Sequence, residues 1–199
     1  MKGPASTRRR PRARTITDGA GSDPAPGRRD VAIALGANVG RPDEAISRAV
    51  DGLRAFVTSL RLSPLYVTEP VGGPPQPDFL NAVVTGWTEL SPLDLLARMK
   101  GLERSAGRLR AGGERNGPRP LDLDLLLYGD ERLDLPGLVV PHPRLAARRF
   151  VLVPLSDLVP GRLVPGLGNT VSELLATAPP SRVERWPGGP AAPSGAVGD

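Results

Sequence analysis

Two aspartates two positions apart, Asp122 and Asp124, open the apolar run "LDLDLLLY" that ends at Tyr128. Side chains alternate between faces in an extended strand. These carboxylates therefore share one face, while Leu121, Leu123 and Leu125 take the other and point to a core. Two carboxylates within reach of each other repel, and in a partly buried place they persist when a cation neutralises them or one keeps a proton. With no cysteine and a single histidine in the chain, an all-oxygen donor set points to magnesium rather than zinc. A solvent-facing strand end with two ordinary acids fits the same pair, and Asp-x-Asp alone does not separate the two readings.

The surroundings add weight to the first. Immediately upstream, "GRLRAGGERNGPRP" places Arg108, Arg110, Arg115 and Arg119 in a stretch rich in glycine and proline. Guanidinium groups bind phosphate bidentately, and a mobile loop could close them over a polyphosphate and exclude water. The segment Tyr66 to Val84 carries four prolines and two glycines, too irregular for a plain connection. Where it becomes a strand, Phe79 and Asn81 fall on one face, able to stack on a flat heterocycle and bond its edge. To be a core phenylalanine and a turn-capping asparagine is the commoner fate of such a pair. The only histidine, His142, lies between two prolines in "VVPHPR", which predicts an exposed rigid turn, with Arg148 and Phe150 close behind.

The elements that must hold these residues can be read in order. "VAIALG" (31–36) predicts a buried first strand. Pro42 suits the first turn of a helix whose Ile46, Ala49, Val50, Leu53, Phe56 and Val57 share a face. Residues 58–67 read as one strand and 78–87 as another, with Phe79, Asn81, Val83, Thr85 and Trp87 on one side. Ser91, Pro92 and Asp94 provide a cap, a first-turn proline and a dipole partner for a second helix to about Ala106. "LDLDLLLY" completes βαββαβ, an α+β, ferredoxin-like core with helices packed on a mainly antiparallel sheet. A C-terminal extension with a weak helix near 171–176 follows. That fold hosts enzymes and RNA-binding modules alike.

Charge is unevenly spread. The chain of 199 residues has a net charge of +5, yet residues 1–29 hold eight Lys and Arg against two Asp, leaving 18 basic and 19 acidic residues elsewhere. The basic stretch is rich in Pro, Gly and Arg without an apolar block, so it reads as a disordered, solvated tail and lacks the apolar region of a secretory signal. Its arginines suit an organellar targeting peptide, but its prolines and glycines oppose the amphipathic helix such a peptide needs. Residues 186–199 are likewise low in complexity, which leaves one domain over 30–185. No stretch approaches the roughly 18 apolar residues of a membrane span. The lack of cysteine suits a reducing cytoplasm.

Taken together, "ALGANVG", "SPLYVTEPVGGPPQPDFLNAVV", "GRLRAGGERNGPRPLDLDLLLYG" and "VPHPRLAARRFVLVPL" resemble the 6-hydroxymethyl-7,8-dihydropterin pyrophosphokinases of folate biosynthesis, in order over about residues 31–160. The resemblance implies transfer of the β,γ-pyrophosphoryl group of ATP to the pterin hydroxymethyl oxygen, giving AMP. It implies two magnesium ions held by Asp122 and Asp124, with Arg108 and Arg119 acting on the transferring group. It further implies ATP contacts from Glu103, Arg110, Arg115, Leu125, His142 and Arg148. The pterin would lie between Phe79 and Phe150, read by Asn81 and the backbone around Thr68, Glu69 and Val71. Its partners would be these two small molecules, with neither a membrane nor a specific nucleic acid, and the enzyme a cytoplasmic monomer. Departures from relatives fall at Phe79, Asn116, Pro120, Gly137 and Pro143.

Two other functions remain open on the sequence. A nucleic-acid module would stack bases on aromatics, which are only 4% of residues here, and the paired acids would repel phosphates. A phosphotransferase moving one phosphoryl group would use the same metal site but release ADP.

Overall fold

The computed structural model describes residues 27–107 and 116–188. Arg108, Arg110 and Arg115, three of the four loop arginines, lie outside the described residues. The chain runs β1 (Arg29–Ala37), α1 (Pro42–Leu53), β2 (Thr58–Leu62), β3 (Tyr66–Thr68), β4 (Phe79–Thr88), α2 (Pro92–Ser105) and β5 (Asp122–Tyr128). Then come β6 (Leu133–Leu135), β7 (Leu138–Val140), a single 3-10 turn, α3 (Arg149–Leu158), α4 (Val171–Thr177) and β8 (Val183–Arg185). Every strand pair is antiparallel, and the main sheet is ordered β5-β1-β4-β3-β8, with β2 also on β4. The mixed α+β, ferredoxin-like expectation is met. None of the described helices is long and apolar enough to cross a membrane.

Local chemistry explains the helix starts. Pro42 occupies the first turn of α1 with Asp43 and Glu44 beside it, where acids complement the helix dipole. Ser91 caps α2 by accepting from the Asp94 amide, and Thr170 and Glu173 form a reciprocal capping box on α4. The buried stripe of α1 is Ala45, Ile46, Ala49, Val50 and Leu53. Phe56 and Val57, expected on the same helical face, lie beyond its end but join the same core.

The two faces of the sheet carry separate cores. Val31, Ile33, Leu35, Leu123 and Leu125 pack with α1 and α2 on one side. On the other, Ala32, Val83, Leu126 and Leu127 pack with Val151, Leu152 and Leu155 of α3 and with Val171 of α4. The C-terminal extension therefore covers the face that a bare βαββαβ core leaves open. A register shift in the β1–β5 pairing, between Ala32 and Ile33, lets Leu126 and Leu127 serve the same core despite being consecutive.

One reading of a single element changes, and one element is new. Residues 58–67 form two strands, because Pro64 has no amide to give to a ladder, and both halves still pair with β4. The apolar segment at 149–158 is a helix despite Pro154, stabilised by burial of Val151, Leu152 and Leu155.

One partly buried contact ties the layers together: the Tyr66 hydroxyl donates to Asp157 Oδ2 on α3 at 2.6 Å. Burial first, and the neighbouring Asp157 second, push the phenol up to about 12 from its usual 10. A raised pKa in the folded state means that stability is lost as pH climbs from about 10 through about 12. Replacing Tyr66 by Phe should cost about 1.5 kcal/mol in urea unfolding at neutral pH. It should also flatten the loss of stability above pH 10, and a variant as stable as the parent with an unchanged alkaline slope would contradict this role.

Candidate active site

The register of three strands builds the site. Gly36 on β1 stands opposite Asn81 on β4 and Asp122 on β5, and Ala34 stands opposite Val83 and Asp124. Residues directly opposite each other share a sheet face, so the two acids, Asn81 and the small residues of β1 form one floor. α3 and α4 cover the rest of that face, leaving an open cleft above this end.

The charged end belongs to β5. Asp122 Oδ2 accepts from Arg119 Nη1, and Asp124 Oδ2 accepts from Arg148 Nη1 at 2.9 Å. Leu123, buried between them, holds the strand to the first core. His142 Nε2 is 3.8 Å from Asp124 Oδ2 and 3.4 Å from Arg148 Nη1. The histidine does not sit in an exposed turn: its side chain is only 13% exposed, with Arg148 and Asp124 of β5 beside the ring. Burial, and then the Arg148 guanidinium, lower its pKa below the ordinary 6.5, so the ring is neutral at pH 7. Its Nδ1 accepts from the Arg144 amide at 3.1 Å, and its Nε2 faces Arg148 and Asp124.

The opposite end is aromatic and amide-lined. Phe79, Phe150, Val71, Thr68, Glu69 and Asn81 all border the cleft there. Asn81 is 8% exposed, and its Nδ2 donates to Thr68 Oγ1 at 2.7 Å, which holds the amide in one orientation. A Cβ on Gly36 would come within 2.8 Å of Asn81 Oδ1, so only glycine leaves that carbonyl where it is. The Arg148 guanidinium lies 5.6 Å from the centroid of Phe150 and links the two ends by a cation–π contact.

Ten of the residues expected from sequence thus meet in one cleft. Glu103, Leu125 and His142 are not among its lining residues. Leu125 is buried in the first core. Glu103, 2% exposed on α2, accepts from the Leu123 amide at 2.9 Å and pairs with Lys100 at 2.9 Å. Its carboxylate satisfies an outward amide of the edge strand β5 between the two acids, so what it governs here is where those acids sit.

Sequence reasoning missed three residues. Asn38, 4% exposed, exchanges backbone and side-chain bonds with Arg119: its amide donates to Arg119 O at 3.0 Å, and its Oδ1 accepts from Arg119 N at 2.8 Å. Its Nδ2 donates to Gln76 Oε1 and Pro77 O, both at 3.0 Å, and Gln76 Nε2 donates to Asn116 O at 2.7 Å. One buried asparagine so joins three loops and holds the backbone that aims Arg119. Gly36 is the third. The signal was present in "LGAN", a strand ending in glycine and then a polar residue with four hydrogen-bonding sites.

The donor set is two carboxylates on one face, each already charge-matched by a guanidinium. Among the described residues no third His, Cys, Asp or Glu joins them into a metal cage. That suits magnesium, which is bound through one or two carboxylates and completes its shell with water and substrate phosphates. The residues present fit it.

Comparison with known proteins agrees with this geometry. The family described as 7,8-dihydro-6-hydroxymethylpterin-pyrophosphokinase matches residues 32–160. A 2-amino-4-hydroxy-6-hydroxymethyldihydropteridine pyrophosphokinase of Pseudomonas aeruginosa is 45% identical over 160 residues, covering 79% of this chain and 97% of its own. The mitochondrial folate synthesis bifunctional protein of Arabidopsis thaliana is 47% identical over 131 residues, 65% of this chain but 23% of that much longer one. Among solved structures, the Plasmodium falciparum HPPK-DHPS wild type with pterin and p-hydroxybenzoate superposes with a TM-score of 0.59 at 16% identity. It spans 78% of this chain and 42% of that one, a likeness of fold. Because the matched region runs from β1 through both acids to the end of α3, the chain belongs to the 7,8-dihydro-6-hydroxymethylpterin-pyrophosphokinase family and is a diphosphotransferase of folate synthesis.

Proposed function

We propose that pyrophosphate passes from ATP to 6-hydroxymethyl-7,8-dihydropterin across this cleft, with ATP at the β5 end and the pterin at the β3–β4 end. The observation that carries the assignment is the common floor of Asp122, Asp124, Gly36 and Asn81, which sets phosphate-handling groups beside an aromatic, amide-lined pocket. The pterin ring stacks between Phe79 and Phe150, and Asn81 bonds its amide-like edge with the capacity that Thr68 leaves over. Backbone groups around Thr68, Glu69 and Val71 complete the recognition.

Asp122 and Asp124 would hold two magnesium ions, which when bound draw charge off the phosphates. Arg119 and Arg148, which neutralise the acids in the structure, turn to phosphate oxygens as the triphosphate enters. The hydroxymethyl oxygen attacks the β-phosphorus in line, the bond to the α-phosphate breaks, and AMP leaves. The hydroxyl proton passes to Asp124 or to water. Arg108, Arg110, Arg115 and His142 act on ATP in the same reading, while Glu103 and Leu125 serve it through the placement of β5. The catalytic unit is residues 30–185. In this reading the enzyme is a cytoplasmic monomer acting on small molecules without a nucleic-acid partner.

With magnesium, ATP and the reduced hydroxymethylpterin, the purified chain should release AMP and the pterin diphosphate. ADP as the nucleotide product would instead indicate transfer of a single phosphoryl group. Asp122→Ala and Asp124→Ala should each lower turnover by about a hundredfold or more with circular dichroism unchanged. Near-normal rates would overturn the metal assignment. Gly36→Ala, by displacing the Asn81 carbonyl, should raise KM for the pterin about tenfold, the equivalent of one lost hydrogen bond, with KM for ATP unaltered.

A further inference from the structure

The segment between β3 and β4 forms one wall of the cleft and has little internal means of holding its shape. It contains four prolines, and Gly72 and Gly73 adopt positive φ of 69° and 85°. Its ladder ends at the pair Thr68–Phe79, so Glu69 and Asp78 are the first residues past it, one on each side of the neck.

The last described strand reaches that neck. β8 lies on the outer edge of β3 with Thr68 opposite Val183, which brings Arg182 alongside Glu69. The Arg182 amide donates to Glu69 Oε1 at 3.0 Å, and its Nη2 donates to Asp78 Oδ2 at 2.6 Å. A looser contact, 3.9 Å, runs from Nη1 to Glu184. One residue thus holds both ends of the loop, the near end by its backbone and the far end by its side chain. Past β8 the Trp186 amide donates to Leu65 O at 2.8 Å, and the indole shares a small hollow with Phe79, Val67 and Pro42. The C-terminal strand therefore backs the aromatic wall as well.

We propose that Arg182 is a positioning residue that cinches residues 69–78 at their neck and so presets the dihydropterin side of the cleft. The inference rests on the reading of Phe79, Asn81 and the Thr68–Val71 backbone as that side. Its physical basis is preorganisation. A loop of fixed ends has fewer conformations to lose when the ligand orders it, and a flat ring slotted against Phe79 needs that wall in place beforehand. Exposed ion pairs add little to global stability, so the effect falls on the loop and its ligand rather than on the fold.

The test uses the full chain with Arg182→Ala, Asp78→Ala, the double variant and Arg182→Lys. KM for the dihydropterin should rise about tenfold in each alanine variant, and no further in the double, because both remove one interaction. KM for ATP and the urea midpoint should stay as in the parent, amides of 70–77 should exchange faster, and Arg182→Lys should restore most of the loss. Unchanged pterin KM and unchanged exchange in Arg182→Ala would overturn the proposal. So would equal losses for both substrates with a lowered midpoint, the mark of a merely structural role. Phe79→Ala, followed by fluorescence binding of the pterin, separates the two levels. Lost binding there keeps the site reading whatever Arg182 does, whereas retained binding removes the site reading and this inference with it.

Discussion

The antiparallel register of β1 between β4 and β5 is the constraint on which everything else depends. It alone puts Asp122, Gly36 and Asn81 in one row across the sheet and Asp124 and Val83 in the next. A slip of one residue in either pairing would turn the acids or the amide to the opposite face, into the core of α1 and α2. The register is held where mistakes would be costliest: Val31, Ile33, Leu35, Leu123 and Leu125 are all nearly inaccessible to solvent on the other side. Hydrophobic burial on one face thus aims polar chemistry on the other.

Around that row the protein uses polar bonds sparingly and at points of leverage. Glu103 occupies the outward amide between the two acids, so the free edge of β5 is satisfied by a buried side chain of its own helix. Asn38 spends both Nδ2 donors and its Oδ1 on neighbouring loops and fixes the backbone of Arg119. Neither residue lines the cleft, yet both decide where its charges stand. The carboxylates themselves are kept neutralised by Arg119 and Arg148, which makes the cleft a place of paired rather than bare charge before substrate arrives.

Much of this was legible in the residues. Alternation in "LDLDLLLY" correctly separated acids from leucines, and proline and cap signals placed both early helices. Periodicity is local, so it survives without knowledge of the partner strands. What escaped depended on distant contacts. Pro64 divides a strand whose two halves still share β4, and α3 forms through a proline because its apolar side is buried against β4. Asn38 and Arg119 stand 81 positions apart, and no local pattern relates them.

By itself the sequence determined the chemical inventory and its family: paired acids on one strand face, arginines before them, phenylalanines flanking an asparagine, and motifs in a distinctive order. Tertiary structure alone decided which of these meet. It gathered Thr68, Asn81, Asp122, Arg148 and Phe150 from five separate elements and loops into one cleft, and turned Glu103 inward to brace β5. It also moved His142 from an expected exposed turn to a half-buried place beside Asp124, and laid β8 against the loop that walls the site. The reason is physical. Side-chain type and alternation are written residue by residue, whereas proximity depends on strand register and helix packing, which only the folded chain as a whole selects.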